Sequence, residues 1–176
     1  THDRTELEID KLQRLLDEAK DAKTAVARQE ICNRAGVLLE AIFDQLSSQY
    51  RCSIPRSPDG NYTLADLINS CTKLMKKLKV EHEAVPPDGA TETEALPVAK
   101  EFNAVKETAF IRNLVGCHYN EAGAELTDLQ IEEFGNSAVL MARVVVCPKC
   151  GEIPRSDKST HRQCSCQHTR LIPARI

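Results

Sequence analysis

The chain has 176 residues, a formal net charge of -3, and 41% hydrophobic and 28% charged residues. This is the composition of an ordinary globular domain, long enough to bury a core and too apolar to be wholly disordered. No apolar run approaches the roughly 20 residues of a membrane span, so a membrane partner is not expected, and four Phe, three Tyr and no Trp argue against binding single strands by stacking bases on aromatic rings.

The chain starts at Thr1 without a basic stretch followed by an apolar one, so no secretory signal is expected, and a first residue other than Met suggests processing or a fragment. Residues 3–20 place Leu12, Leu15, Leu16 and Ala19 at helical spacing with charges on the other face. That pattern predicts the end of an exposed or coiled-coil helix, assigned to a first segment, 1–21. Residues 22–50 carry a broader stripe of Ala25, Ile31, Ala35, Leu38, Leu39, Ile42, Phe43 and Leu46, which predicts a long core helix in which Gly36 permits close packing.

A loop follows over 51–62, with Pro55, Pro58 and the turn pair Asp59-Gly60. Thr63 is an N-cap for a third helix through Leu64, Leu67, Ile68, Cys71, Leu74, Met75 and Leu78. Its end is basic, with Lys73, Lys76, Lys77 and Lys79, which suits either a helix C-terminus or phosphate. An acidic loop occupies 80–96. Pro97 opens a fourth helix with Val98, Phe102, Val105 and Ala109 on one face, interrupted at Gly116. Thr127 to Gln130 form a capping box for a fifth helix, with Leu129, Phe134, Ala138, Met141, Ala142 and Val145 facing inward. No stretch alternates long enough to specify a sheet. The expected fold is therefore an all-α bundle of four to five helices over 22–146, with a small C-terminal appendage over 147–176.

Of the eight cysteines, Cys32, Cys52, Cys71 and Cys117 are scattered, whereas Cys147, Cys150, Cys164 and Cys166 fall within twenty residues. Clustering without a secretory signal points to metal in a reducing, cytoplasmic compartment rather than to disulfides. Cys147-Pro-Lys-Cys150-Gly151 is a knuckle sequence in which two thiolates bracket a tight turn. Four soft anionic ligands suit tetrahedral Zn²⁺ with no open position, a structural site rather than a catalytic one. Cys164-Ser-Cys166 has one intervening residue, so its loop is expected to differ, and His161 or His168 could replace one thiol. The tail sets six basic residues against Glu152 and Asp157. A DNA contact through Arg162 and Arg170 is accordingly a further reading.

Arg112-Asn113-Leu114-Val115-Gly116-Cys117-His118 is the segment with chemical content. An imidazole can move protons to or from a ribose 2′-hydroxyl or a leaving 5′-oxygen, and a guanidinium can neutralise the charge built up on phosphorus; neither needs a metal. Six residues at ~100° each leave Arg112 and His118 about 120° apart on an ideal helix. They converge only if the helix kinks or ends near Gly116, or if two subunits meet. Cys117 points away from His118 on such a helix, so a thiol nucleophile is not expected.

The helical pattern with Arg112-Asn113 and His118 resembles a HEPN domain, whose nuclease members carry R-x(4–6)-H with a polar residue after the Arg. The run IRNLVGCHYNEAGAELTDLQIEEFG followed by VVVCPKCG is also similar to C-terminal regions of SMC-like or AAA-type ATPases of bacterial phage defence. The resemblance implies a HEPN-like bundle and a metal-independent endoribonuclease acting on RNA. It implies Arg112 and His118 as catalytic, Asn113 as support, a homodimer with a composite cleft, and an ATPase region as partner. Tyr119 directly follows His118, so the features of one toxin branch with a Tyr one place later are not carried over. The alternative is a non-catalytic dimerisation or nucleic-acid- or partner-binding module with a structural zinc site.

Overall fold

Helix α2 (Ala25–Gln49) runs through the centre of the molecule because its apolar residues cover more than one face. Ile31, Cys32, Ala35, Leu38, Leu39, Ile42, Phe43 and Leu46 are all buried. In the computed structural model, which describes residues 2–19, 24–55, 58, 60–83, 94–116 and 126–176, α2 touches α1 (His2–Ala19), α3 (Leu64–Met75) and α5 (Asp128–Val145). Ile9, Leu12, Leu16 and Ala19 of α1 are buried against α2 and α5 within the same chain. The α5 backbone comes so close that a Cβ on Gly135 would lie 2.7 Å from Leu16 Cδ2 and 3.0 Å from Ile31 Cγ2. Helix α4 (Ala99–Thr108) lies along α5, and its Phe102 meets Phe43 edge-on at 5.8 Å.

The helix ends follow local chemistry. Thr24 Oγ1 accepts the Ala27 N–H at 3.1 Å. Thr63 with Asp66, and Thr127 with Gln130, each form a reciprocal capping box that satisfies two otherwise free N–H groups. Helix α3 stops at Met75, and Pro97 lies in a strand rather than in the first turn of α4. Leu129 is not inward-facing: it is 63% exposed. The loop expected over 80–96 lies mostly outside the described residues.

The all-α expectation is corrected by a five-stranded antiparallel sheet in the order β2-β1-β5-β4-β3. Its strands are β1 (Lys79–His82), β2 (Leu96–Pro97), β3 (Ser156–Asp157), β4 (Arg162–Gln163) and β5 (Thr169–Ile172). Three of them are two residues long, and β1 and β5, at four, only reach the lower limit of the roughly 4–8 residues over which alternation can be read, while neither Lys-Val-Glu-His nor Thr-Arg-Leu-Ile alternates strictly between apolar and polar. The decisive pairing is non-local. β1, which follows the third helix, pairs with β5 near the end of the chain, Lys79 opposite Ile172 and His82 opposite Thr169. Val80 and Leu171 thereby join the core, as does Ile153.

The tail is fastened to α2 as well. Arg162, 8% exposed, donates from Nη2 to the Gln49 carbonyl at 2.7 Å and from Nη1 to the Arg155 carbonyl at 3.2 Å. Its guanidinium lies 4.7 Å from the centre of the Tyr50 ring. Burial pushes the Tyr50 hydroxyl up to about 12 against the lowering pull of Arg162, so it stays a neutral donor to the Pro173 carbonyl at 3.0 Å. Arg162 is thus spent inside the molecule, which removes it as a DNA contact, whereas Arg170 makes only a 3.9 Å ion pair with Glu81 at the surface. In urea unfolding, Arg162→Ala is expected to cost about 2–3 kcal/mol, because buried charge-assisted bonds and ring packing are lost together. Arg170→Ala is expected to cost less than about 1 kcal/mol; equal losses would contradict this division.

Candidate functional site

Two groups of residues have the geometry of a site. The first is the cysteine cluster. Cys147 follows directly on the end of α5, and Gly151, at φ 65°, lets the chain turn back after Cys150. The Cys147 N–H donates to the Glu152 carbonyl at 2.9 Å and closes the loop. The second loop is closed over the same span, by the Cys164 N–H to the Thr169 carbonyl at 3.1 Å. Its left-handed residue is Gln167, at φ 65°. The shorter Cys-x-Cys spacing therefore builds a loop closed like the first, with a glutamine where glycine would have announced the turn.

The four sulfurs of Cys147, Cys150, Cys164 and Cys166 all lie within 4.8 Å of one another. Cys166 Sγ is 3.5 Å from Cys147 Sγ and 3.6 Å from Cys164 Sγ. A disulfide needs about 2.05 Å, whereas four sulfurs bonded at ~2.3 Å to a tetrahedral ion stand about 3.8 Å apart. The cluster is thus close enough to bind a metal ion, and the donor set is all sulfur. His161 Nδ1 meets Thr160 Oγ1 at 3.0 Å, and His168 stacks on His82 with ring centres 6.3 Å apart; neither belongs to the cluster.

Thr169 ties the two loops together. Its N–H donates to Cys164 Sγ at 3.2 Å, and its hydroxyl lies 2.9 Å from His82 Nδ1. Burial alone would raise the Cys147 thiol. The Thr169 hydroxyl, the N–H groups of Cys150 and Lys149 and the Cys166 thiol outweigh it and bring Cys147 down to about 7. Cys164 is pushed up to about 12, mainly by burial. Burial followed by the charge of His168 lowers the pKa of His82, against the raising pull of the Val144 backbone. Hydrogen bonds thus run from His82 on β1 through Thr169 to the Cys164 sulfur, of the kind that orients metal ligands.

The second group surrounds Arg112. After Phe110 and Ile111, which are still α-helical, Arg112–Gly116 form a π-helical turn, a form found frequently at functional sites. Arg112 lies across α2 at Gly36, where a Cβ would stand 1.9 Å from its Nε and 2.3 Å from its Cδ. Glu40, one helical turn on, grips the guanidinium end-on: Nη1 to Oε1 at 2.7 Å and Nη2 to Oε2 at 3.1 Å. The Arg112 side chain is 17% exposed and that of Glu40 34%, so the pair is partly open to water. Asn113 beside it is exposed. His118 and Cys117 lie outside the described residues. Glu40 was not singled out by the sequence; the signal available was a glycine and a glutamate four apart, Gly36 and Glu40, in the middle of α2.

Comparison with protein-family models, with curated proteins and with solved structures finds no match for this chain.

Two outcomes follow from the geometry. Gly36→Ala is expected to destabilise by about 1–3 kcal/mol because a methyl group is forced into the guanidinium. In an Arg112→Ala background the same change is expected to be neutral or to stabilise by up to about 1 kcal/mol, the helix preference of alanine over glycine. Native mass spectrometry is expected to find one metal ion per chain, absent from Cys147→Ser/Cys164→Ser. Stripping the metal is expected to lower Tm by about 10 °C or more, since metal binding and folding of such loops are one equilibrium. An unchanged melt would sever the cluster from stability.

Proposed function

We propose that this chain is an endoribonuclease of HEPN type, braced by a structural zinc ion. The observation that carries the reading is Arg112: a guanidinium fixed in one pose at a break in helical geometry, six residues before His118. In this reading Arg112 binds the phosphate under attack and offsets the charge that develops there. His118 takes the proton of the 2′-hydroxyl or returns one to the leaving 5′-oxygen, and Asn113 hydrogen-bonds phosphate or imidazole. The products are a 2′,3′-cyclic phosphate and a 5′-hydroxyl. Two copies pair so that both Arg/His sets line one cleft. The protein acts in the cytoplasm in bacterial antiphage defence, with an ATPase-containing region as its regulator.

Zinc is the ion that the four-sulfur set fits best, being content with tetrahedral thiolate ligation and closed to further ligands. Its role is to hold the tail so that β5 meets β1; it takes no part in cleavage.

Glu40 favours a second reading. Both terminal nitrogens of Arg112 are already engaged by its carboxylate, as befits a structural ion pair in a non-catalytic dimerisation or partner-binding module. One assay separates the two. The zinc-loaded chain, incubated with single-stranded RNA in EDTA and checked for retained zinc, is expected to leave 2′,3′-cyclic phosphate ends. Arg112→Ala and His118→Ala are expected to lower the rate by about 100-fold or more, the usual reach of one acid–base or charge-stabilising group, with melting unchanged for His118→Ala. No cleavage by the unsubstituted chain would hand the case to the binding module; cleavage that survives both substitutions would remove Arg112 and His118 from the mechanism.

A further inference from the structure

The lysines at the end of the third helix remain unexplained by either site. Between residues 67 and 80 there is no acidic residue, and Lys73, Lys76, Lys77 and Lys79 are all exposed. Burial of Leu67, Cys71, Leu74 and Met75 turns Lys73 outward, and β1 alternates with Lys79 out and Val80 in. The fold adds a fifth. Pairing of Lys79 with Pro97, and the Val98 N–H bond to the Leu78 carbonyl at 3.2 Å, bring the start of α4 beside the end of α3. Lys100 stands exposed in the first turn of α4.

Among the described residues no carboxylate pairs with any of the five, and Glu81, the acid on β1 nearest to them in sequence, is turned to Arg170. Compensation of the α3 dipole reaches only the last turn, so it accounts for Lys73 and Lys76. Lys79 and Lys100 sit on other elements and gain nothing from it. No aromatic residue occurs in 64–80 or 94–101, so the surface offers charge without a stacking platform. Among the described residues there, Leu96, 53% exposed, is the one large apolar side chain at the surface, too little to enter a lipid layer.

We propose that the junction of α3, β1, β2 and α4 is a docking surface for the phosphate backbone of single-stranded RNA. The choice of RNA over other polyanions rests on the ribonuclease reading. The ammonium groups contact phosphates without reading bases, so binding is independent of sequence and sensitive to salt.

The test uses the whole chain and a short single-stranded 2′-O-methyl RNA, which cannot be cut because its 2′-oxygen is blocked. Fluorescence anisotropy is expected to show affinity falling about 100-fold between 50 and 200 mM salt, from a slope of about -0.7 per phosphate over five contacts. Replacing the five lysines by Gln is expected to weaken binding at 50 mM by about tenfold or more and to flatten the salt slope, with melting unchanged. Should that variant misfold, the pairs Lys73→Gln/Lys77→Gln and Lys79→Gln/Lys100→Gln are each expected to give part of the loss. Neutralising Lys149, Arg155 and Lys158 instead is expected to leave binding intact. Wild-type affinity in the folded lysine variants would overturn the proposal, as would binding to phosphatidylserine vesicles but not to the oligonucleotide. Normal RNA cleavage with no dependence on these lysines would sink the surface alone. Lysine-dependent binding with no cutting of unmodified RNA would sink the ribonuclease reading alone.

Discussion

Helix α2 is approached by two guanidinium groups, and each exploits a different feature of its backbone. At Gly36 the missing Cβ leaves a notch in which Arg112 lies, and Glu40 one turn later closes on its terminal nitrogens. At the C-terminal end the Gln49 carbonyl has no following helical N–H, and Arg162 supplies the donor at 2.7 Å. The first contact fixes the residue with the most chemical promise. The second fixes the tail. Both contacts are made to the helix that α1, α3 and α5 also pack against.

The tail is small, and its strands are two to four residues long. Such strands do not hold together alone. Three independent fastenings act on it: the sulfur cluster, the pairing of β5 with β1, and the Arg162–Tyr50 contact. Thr169 belongs to two of them, since it is the first residue of β5 and its N–H donates to the Cys164 sulfur. A metal held there therefore acts on the helical layer through β1 and not only on the loops that bind it. The knuckles are better described as part of one fold than as an appendage beside it.

Charge is distributed unevenly over this framework. The chain as a whole is mildly acidic, with a net charge of -3. Several of its basic residues are consumed in pairs, Arg28 with Asp128, Arg34 with Glu8 and Glu30, and Arg112 with Glu40. The lysines around α3 and β1 stand apart from that pattern, and an excess of free ammonium on an acidic chain has an electrostatic reach that evenly mixed charges lack.

The sequence by itself determined the helices and their caps, because the threonine caps at 63 and 127 and the apolar stripes of α2, α3 and α5 are local signals of 3.6-residue period. It also picked out the four clustered cysteines, because their spacing is local, but it left His161 and His168 open as replacements for one of them. It did not determine the sheet: β1 and β5 are separated by about half of the chain, and neither four-residue sequence alternates strictly between apolar and polar residues. Nor could it show that the second loop closes like the first, since the left-handed turn there falls on Gln167. That Gly36, Glu40 and Arg112 belong together was decided only by tertiary packing. Residues 72 positions apart became partners because a helix without a side chain at Gly36 leaves room for the Arg112 side chain to lie across it.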